Sequence, residues 1–118
     1  MTIYEVSERY RIPLNILREY ESWKLSGTAQ KAVGSHQYND VDLERLSLIM
    51  TLRDVGFATS EIELYMRLLL EQENSEGQRL QILNRKRSLT LEEIHCKEKQ
   101  LEKLDCLRLH IRKKIQRR

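Results

Sequence analysis

Residues 13–21, PLNILREYE, bring three side chains capable of specific hydrogen bonding into five positions: Asn15, Arg18 and Glu19. An asparagine amide can bond the edge of adenine, an arginine can bond guanine or a phosphate, and a glutamate can accept a bond from cytosine. If the stretch is helical, Leu14, Leu17 and Tyr20 share its apolar face. The stretch is therefore a candidate for reading base edges. The alternative is that Arg18 and Glu19 are only solvated and that the apolar residues alone matter.

Other kinds of site have little support. We find no serine-histidine-acid set, no paired buried carboxylates and no glycine-rich phosphate loop, so an enzyme is not expected. Cys106 and His110 are four positions apart and could supply half of a metal site. The helical register below places both away from the pairing surface, so we predict neither a metal nor another cofactor. Oxidation of an exposed Cys106 is a further alternative.

Composition predicts an all-helical protein of about one domain. A third of the 118 residues are charged, and the chain has one proline and four glycines. No run approaches the roughly 18 apolar residues of a membrane span, and the N-terminus lacks a signal-peptide pattern, so we expect a cytoplasmic protein that does not engage membranes. Residues 108–118 hold six bases and no acid, which leaves residues 1–107 with a net charge of −3. Residues 1–107 are therefore not expected to bind a partner mainly through net positive charge.

Local signals predict how these side chains are positioned. The T-x-x-E pattern at Thr2 is typical of a capping box, so a short helix over about 3–10 should bury Ile3, Val6 and Tyr10. Pro13 suits the first turn of a second helix, which gives a helix-turn-helix arrangement. Residues 26–38 are small and polar and predict a loop or a β-hairpin. Two further helices should follow, the first capped at Asn39 and ending near Gly56, the second opening with a capping box at Ser60.

After residue 77 the chain has no glycine or proline, which predicts one helix of about 40 residues and roughly 60 Å. A 3-4 spacing along it is apolar at seven of eleven positions, an imperfect coiled-coil seam. The seven predicted dimerisation residues are Leu80, Leu83, Ile94, Leu101, Leu104, Ile111 and Ile115. We therefore divide the chain into a domain over 1–72 and a pairing helix over 76–118. The alternative is a single amphipathic helix that folds back on its own domain.

Three segments in this order resemble the mercury-resistance (MerR) family of regulators. IYEVSERYRIPLNILREYE is similar to the family's opening, YNDVDLERLSLI to the segment after its hairpin, and LRDVGFATSEI to its L-R-x-x-G-F-x-x-x-E-I pattern. The resemblance covers about the first 70 residues. It implies an all-α fold with a small β-hairpin wing, in which a winged helix-turn-helix domain precedes a long antiparallel coiled-coil dimerisation helix.

The resemblance also implies which residues touch DNA. They are Asn15, Arg18, Glu19 and Tyr20 in the second helix, Lys31, His36, Gln37 and Tyr38 in or beside the hairpin, and Arg53 near the turn at Gly56. In this chain Asn15, Glu19 and His36 stand where the family usually has an arginine, an aromatic residue and an arginine. The operator sequence of a relative therefore does not transfer.

The implied function is sequence-specific regulation of transcription by a homodimer. Such a dimer binds double-stranded DNA at a pseudo-palindromic promoter and distorts the spacer, which realigns the elements that RNA polymerase needs. The chain stops at the long helix, so the resemblance implies a short form without a C-terminal effector domain. The alternative function is an interaction protein that does not read DNA and instead dimerises with or sequesters another regulator.

Overall fold

The computed structural model describes residues 1–25 and 37–118 and is built from α-helices over those ranges. The helices are α1 (Ile3–Tyr10), α2 (Leu14–Trp23), α3 (Asp40–Asp54), α4 (Thr59–Glu71) and α5 (Glu76–Gln116). No strand occurs within the described ranges. The predicted β-hairpin wing falls mainly on residues 26–36, outside the described residues, so the structure gives it no support. No described helix has the length and apolar character needed to cross a membrane.

The first compact unit, Met1–Arg79, contains a core built by α1 to α4. Each of these helices buries an apolar stripe, as the helical period requires. The fully buried side chains of largest volume are Val6, Leu17, Tyr20, Leu25, Leu46, Ile49, Ile62 and Met66. Of the predicted core positions, Ile3, Val6, Leu17 and Tyr20 are buried, whereas Leu14 is half-buried.

The helix ends follow the capping signals in two cases and depart from them in a third. Thr2 Oγ1 accepts the Glu5 N–H at 3.2 Å, and Asn39 and Asp42 exchange side-chain and backbone hydrogen bonds at the start of α3. The predicted box at Ser60 is wrong by two residues, because α4 begins at Thr59 and the Glu61 carboxylate accepts the Ala58 N–H at 2.8 Å.

Tyr10 does not join the core as predicted. It is 45% exposed, and the Arg9 guanidinium lies over its ring with 5.8 Å to the centroid. Tyr10 is the last residue of α1, after which Arg11 takes a left-handed conformation with φ 55°. The helical period that predicted its burial ends at this position.

The second compact unit is Leu80–Arg118, and its residues belong to α5 except for the last two. The 41 residues of α5 form a helix of about 60 Å, and none of its side chains is buried within the chain. Ser75, which precedes it, donates its hydroxyl to the Leu68 carbonyl at 2.6 Å and accepts a hydrogen bond from Arg79 Nε at 3.0 Å. The predicted long helix is confirmed.

Candidate nucleic-acid interface

Helix α2 presents a polar face to solvent and an apolar face to the core. Asn15, Arg18 and Ser22 are exposed, at the i, i+3 and i+7 spacing that aligns side chains along one side of a helix. Ile16, Leu17, Tyr20 and Trp23 are buried on the other side. We call Asn15, Arg18 and Ser22 the polar face of α2. It carries an amide and a guanidinium donor on a helix whose orientation is set by packing, while the Ser22 hydroxyl donates to the Glu19 carbonyl at 2.6 Å.

The turn between α1 and α2 is held by two hydrogen bonds that join Ser7 of α1 to Ile12 of the turn. Ser7 donates its hydroxyl to the Ile12 carbonyl at 2.7 Å, and the Ile12 N–H returns to the Ser7 carbonyl at 3.2 Å. Between them Arg11 occupies the left-handed region, which an L-residue adopts at a cost of about 1–2 kcal/mol. Arg11 is exposed and was not among the predicted contacts, because a motif-based comparison gave it no role.

Tyr20 anchors α2 to the start of α3. Its ring is fully buried, and its hydroxyl donates to Asp42 Oδ1 at 2.6 Å. The other carboxylate oxygen of Asp42 accepts the Asn39 N–H at 3.1 Å, so one buried carboxylate joins α2 to the cap of α3. Asp42 is only 3% exposed, and hydrogen bonds to it replace the solvation that burial removes.

Tyr38, which follows residues 26–36 in the chain, forms a second anchor for α2. Its hydroxyl donates to Glu21 Oε1 at 2.7 Å, and its ring lies 6.4 Å from that of Tyr20 between centroids. Its backbone pairs with Met1 in both directions, at 2.8 and 3.1 Å. Burial, and then the hydrogen bond to Glu21, raises the pKa of the Tyr38 phenol far above its ordinary value. The phenol is therefore neutral throughout the physiological range.

Arg67 on α4 holds the C-terminal end of α2. One guanidinium nitrogen donates to the Trp23 carbonyl at 2.8 Å and also lies 3.1 Å from Glu63, while the other lies 3.3 Å from Glu71. Hydrogen bonding to Glu63 raises the pKa of Arg67 above its ordinary value. A cation at this end of α2 satisfies a terminal carbonyl and complements the helix dipole. From the sequence, the i,i+4 spacing of Glu63, Arg67 and Glu71 predicts ion pairs within α4. It does not predict the contact between Arg67 and the Trp23 carbonyl.

The predicted DNA contacts divide into three groups by position. Asn15 and Arg18 are exposed on α2, Glu19 is half-buried beside them, and the exposed Gln37 and the half-buried Arg53 lie elsewhere in the unit. Tyr20 and Tyr38 are 0% and 4% exposed, with both hydroxyls engaged inside the protein. Lys31 and His36 lie outside the described residues. The structure thus offers only part of the predicted set to a ligand directly.

All seven predicted dimerisation residues are exposed within the single chain. Their exposed fractions run from 38% at Leu83 to 59% at Ile115. Leu107 and Leu109 are also exposed on α5, which the seam did not include. This amount of apolar surface on one helix is typical of a helix that pairs with another.

The sulfur and imidazole groups of α5 do not gather into a site. Cys96 and Cys106 are both free and exposed. His95 Nδ1 lies 3.5 Å from Glu98, an ordinary i,i+3 pair at the surface. No cluster of three or more metal-ligating side chains occurs among residues 1–25 and 37–118.

Comparison with known proteins gives a consistent result. The model of the MerR HTH family of regulatory proteins matches residues 1–69. No curated protein sequence matches the chain significantly. Among solved structures, a MerR family transcriptional regulator from Listeria monocytogenes is 22% identical, with a TM-score of 0.69 over 89% of this chain and 80% of that one.

Two further solved structures are similar. HiNmlR, a MerR family regulator lacking the sensor domain and bound to promoter DNA, is 21% identical, with a TM-score of 0.67 over 88% of this chain and 83% of that one. The N-terminal part of MtaN, the Bacillus subtilis multidrug transporter activator, is 23% identical, with a TM-score of 0.65 over 89% of this chain and 94% of that one. At these identities the likeness establishes the fold.

Proposed function

Because this chain belongs to the MerR HTH family of regulatory proteins, we propose that it regulates transcription by binding double-stranded DNA through the polar face of α2. One observation carries the proposal. The second helix of the helix-turn-helix exposes Asn15 and Arg18, while its other side is anchored by Tyr20 and Trp23. A rigidly held helix with outward donors is the arrangement by which such motifs read the major groove.

The polar face suits recognition of base edges more than general attraction. Asn15 can form two hydrogen bonds with adenine, and Arg18 can form two with guanine or bind a phosphate. The half-buried Glu19 can accept a bond from cytosine. Each well-formed bidentate pair contributes about 1–3 kcal/mol of discrimination against the wrong base.

We assign Tyr20 and Tyr38 a positioning role in place of the direct DNA contact that the sequence suggested. Both hydroxyls are already bonded to carboxylates inside the protein, at 2.6 and 2.7 Å. Tyr20 orients α2 through Asp42, and Tyr38 braces Glu21 on the same helix. Arg53 and Gln37, together with Lys31 and His36 of the proposed wing, bind backbone phosphates and set the register of the protein on the duplex.

The active species is a homodimer paired through α5. The exposed apolar side chains of the seam support this, because most of the stability of a helix in a protein comes from packing of its apolar face, and α5 buries no side chain within the chain. In an antiparallel pair the two recognition helices are related by a two-fold axis, so the target is pseudo-palindromic.

Distortion of the promoter spacer costs on the order of several kcal/mol, which the contacts at both flanks offset. RNA polymerase then meets realigned promoter elements.

A second candidate is an interaction protein that does not read DNA. The charge of residues 1–79 favours it, because thirteen acids outweigh nine bases there. A salt titration on a promoter-like duplex separates the two functions. For a DNA-binding regulator, log K should fall steeply and linearly with the logarithm of the salt concentration. An interaction protein that does not read DNA should bind every duplex only weakly.

The deciding experiment selects bound sequences from random duplex DNA. We expect enriched inverted repeats, with Arg18→Ala relaxing the preference at one position in each half-site and lowering affinity about 5- to 150-fold per half-site. Arg18→Lys keeps the charge but loses the bidentate geometry, so it should restore affinity more than specificity. Enrichment without two-fold symmetry, or no enrichment, contradicts the proposed function.

A further inference from the structure

The two compact units carry opposite net charges. Residues 1–79 have thirteen acids and nine bases, whereas residues 80–118 have five acids and twelve bases. Phosphate neutralisation supplies nearly all of the sequence-independent affinity of DNA-binding proteins. A regulator whose reading unit is acidic needs cations from another part of the chain, and here they lie on α5.

The charges of α5 are segregated along its length. Residues 80–91 contain three bases and no acid, residues 92–107 contain five acids and three bases, and residues 108–118 contain six bases and no acid. We call residues 108–118 the basic tail. All of its side chains are exposed, and the tail extends over about 16 Å.

Helix stabilisation does not account for the basic tail. The dipole of a helix places only about half a negative charge at its C-terminus. Lys113 and Lys114 already stand in the last turn of α5. Arg108 lies 3.2 Å from Asp105, but no acid follows Asp105 in the chain. Most of the positive charge of the tail is therefore exposed to solvent and can accept an anionic ligand.

Pairing of two copies concentrates this charge further. In the antiparallel dimer that we propose above, centring the pair on Lys99 sets four of the seven seam residues against apolar ones, with Ile94 opposite the partner's Leu104 and Leu83 opposite the partner's Ile115. The basic tail of one copy then lies beside residues 80–91 of the other. The two segments that meet at each end, residues 80–91 and 108–118, together carry nine bases and no acid over about 16 Å of helix. An anionic ligand bound at such an end would relieve the mutual repulsion of its cations.

We propose that each end of the paired α5 helices is a phosphate-binding surface for duplex DNA, separate from the polar face of α2. This inference rests on the proposed dimeric regulator. The density of charge fits a duplex, which carries one phosphate per roughly 1.7 Å of axis and so about nine or ten along the length of the tail. Six of the nine bases at each end are arginines, whose planar forks bind phosphate oxygens in pairs.

Two pairs of substitutions test the surface. Lys113→Gln with Arg117→Gln removes two charges from the basic tail. The control, Lys99→Gln with Lys103→Gln, removes two charges with the same spacing and the same heptad positions from the middle of α5. Both pairs lie off the predicted seam, so the dimer is retained. Affinity is measured over a salt series on a duplex carrying the selected site and on a random duplex.

The tail variant should bind both duplexes more weakly and lower the slope of log K against log salt by up to about 3.6, since four phosphate contacts are lost per dimer. The control variant should keep the wild-type slope. Equal losses in both variants, or an unchanged slope in the tail variant, overturn the inference. Dissociation of the dimer by the tail substitutions at an unchanged slope also overturns it, because the tail would then bind the acidic residues 40–73 of a second copy.

Measurements on the wild-type protein distinguish failure of the phosphate-binding surface from failure of the proposed function. A shallow salt slope and no sequence preference in the wild type contradict DNA reading itself. Specific binding by the wild type together with an unaltered slope in the tail variant contradicts only the second phosphate-binding surface.

Discussion

Replacing Tyr20 by phenylalanine tests whether this side chain positions α2 or touches DNA. The substitution removes one hydroxyl from a fully buried ring and leaves Asp42 Oδ1 without its 2.6 Å donor. A buried acceptor that loses a partner costs about 1–3 kcal/mol, and the ring itself is preserved, so no cavity adds to the cost. We expect the free energy of unfolding to fall by about 2 kcal/mol.

Tyr4→Phe is the matched control, because Tyr4 is 64% exposed and the same atom is removed. Its effect on the free energy of unfolding should stay within about 0.5 kcal/mol. Denaturant unfolding can be followed by the fluorescence of Trp23, the only tryptophan, which is 9% exposed on α2. Protein concentration must be held constant, because the proposed dimerisation would contribute to the apparent stability.

The DNA-binding measurement separates the two roles of Tyr20. A positioning hydroxyl leaves the selected DNA sequence unchanged and weakens binding only to the extent that α2 is less well held. If Tyr20→Phe unfolds with the wild-type free energy yet loses DNA affinity or changes the base preference, the hydroxyl faces DNA, and the burial argument is refuted.

Three other predictions follow from the remaining anchors and from the seam. Tyr38→Phe should reduce the loss of stability at alkaline pH. The folded-state pKa of Tyr38 is raised, so the wild type keeps the full contribution of Tyr38 to the free energy of unfolding below about pH 10 and loses it above, by up to about 1.4 kcal/mol per pH unit. Denaturant unfolding of both proteins at pH 9 to 11 measures the difference. Arg67→Gln should speed amide hydrogen exchange in the last turn of α2, because the Trp23 carbonyl loses its donor, without changing exchange in α5. Leu101→Ala with Leu104→Ala should weaken the dimer at least about a hundredfold in sedimentation equilibrium, since each buried leucine contributes about 1.5–3 kcal/mol, whereas Leu109→Ala off the seam should leave the dimer intact.

Short-range patterns predicted the helices well because their causes are local. Thr2, Pro13 and Asn39 each act within a few residues of a helix start, and α1, α2 and α3 begin within a residue of where those signals place them. The length of α5 followed from the absence of glycine and proline after residue 77. The error at the start of α4 has a local cause too, since two acids two residues apart, Glu61 and Glu63, could each complete a capping box.

The anchors of the candidate site were not predictable in the same way. Tyr20 bonds Asp42 across 22 residues, and Arg67 bonds the Trp23 carbonyl across 44. Helical periodicity places Tyr20 on an inward face but does not name its partner, and a family motif that contains Tyr20 does not say whether the side chain faces DNA or the core. Such long-range contacts depend on how α2, α3 and α4 pack, which a single sequence does not display.

The separation of charge along the chain limits what each part of the protein can contribute to recognition. An acidic reading unit gains little from approaching arbitrary phosphates, so its affinity depends on forming the correct bonds to base edges. Cations at the ends of α5 attract every duplex alike and therefore raise affinity without changing the ratio between correct and incorrect sites. Screening by salt should then weaken specific and random binding by similar factors, leaving discrimination to Asn15, Arg18 and Glu19. The nearly neutral α2 is consistent with this division, because added positive charge there would strengthen incorrect complexes as much as correct ones.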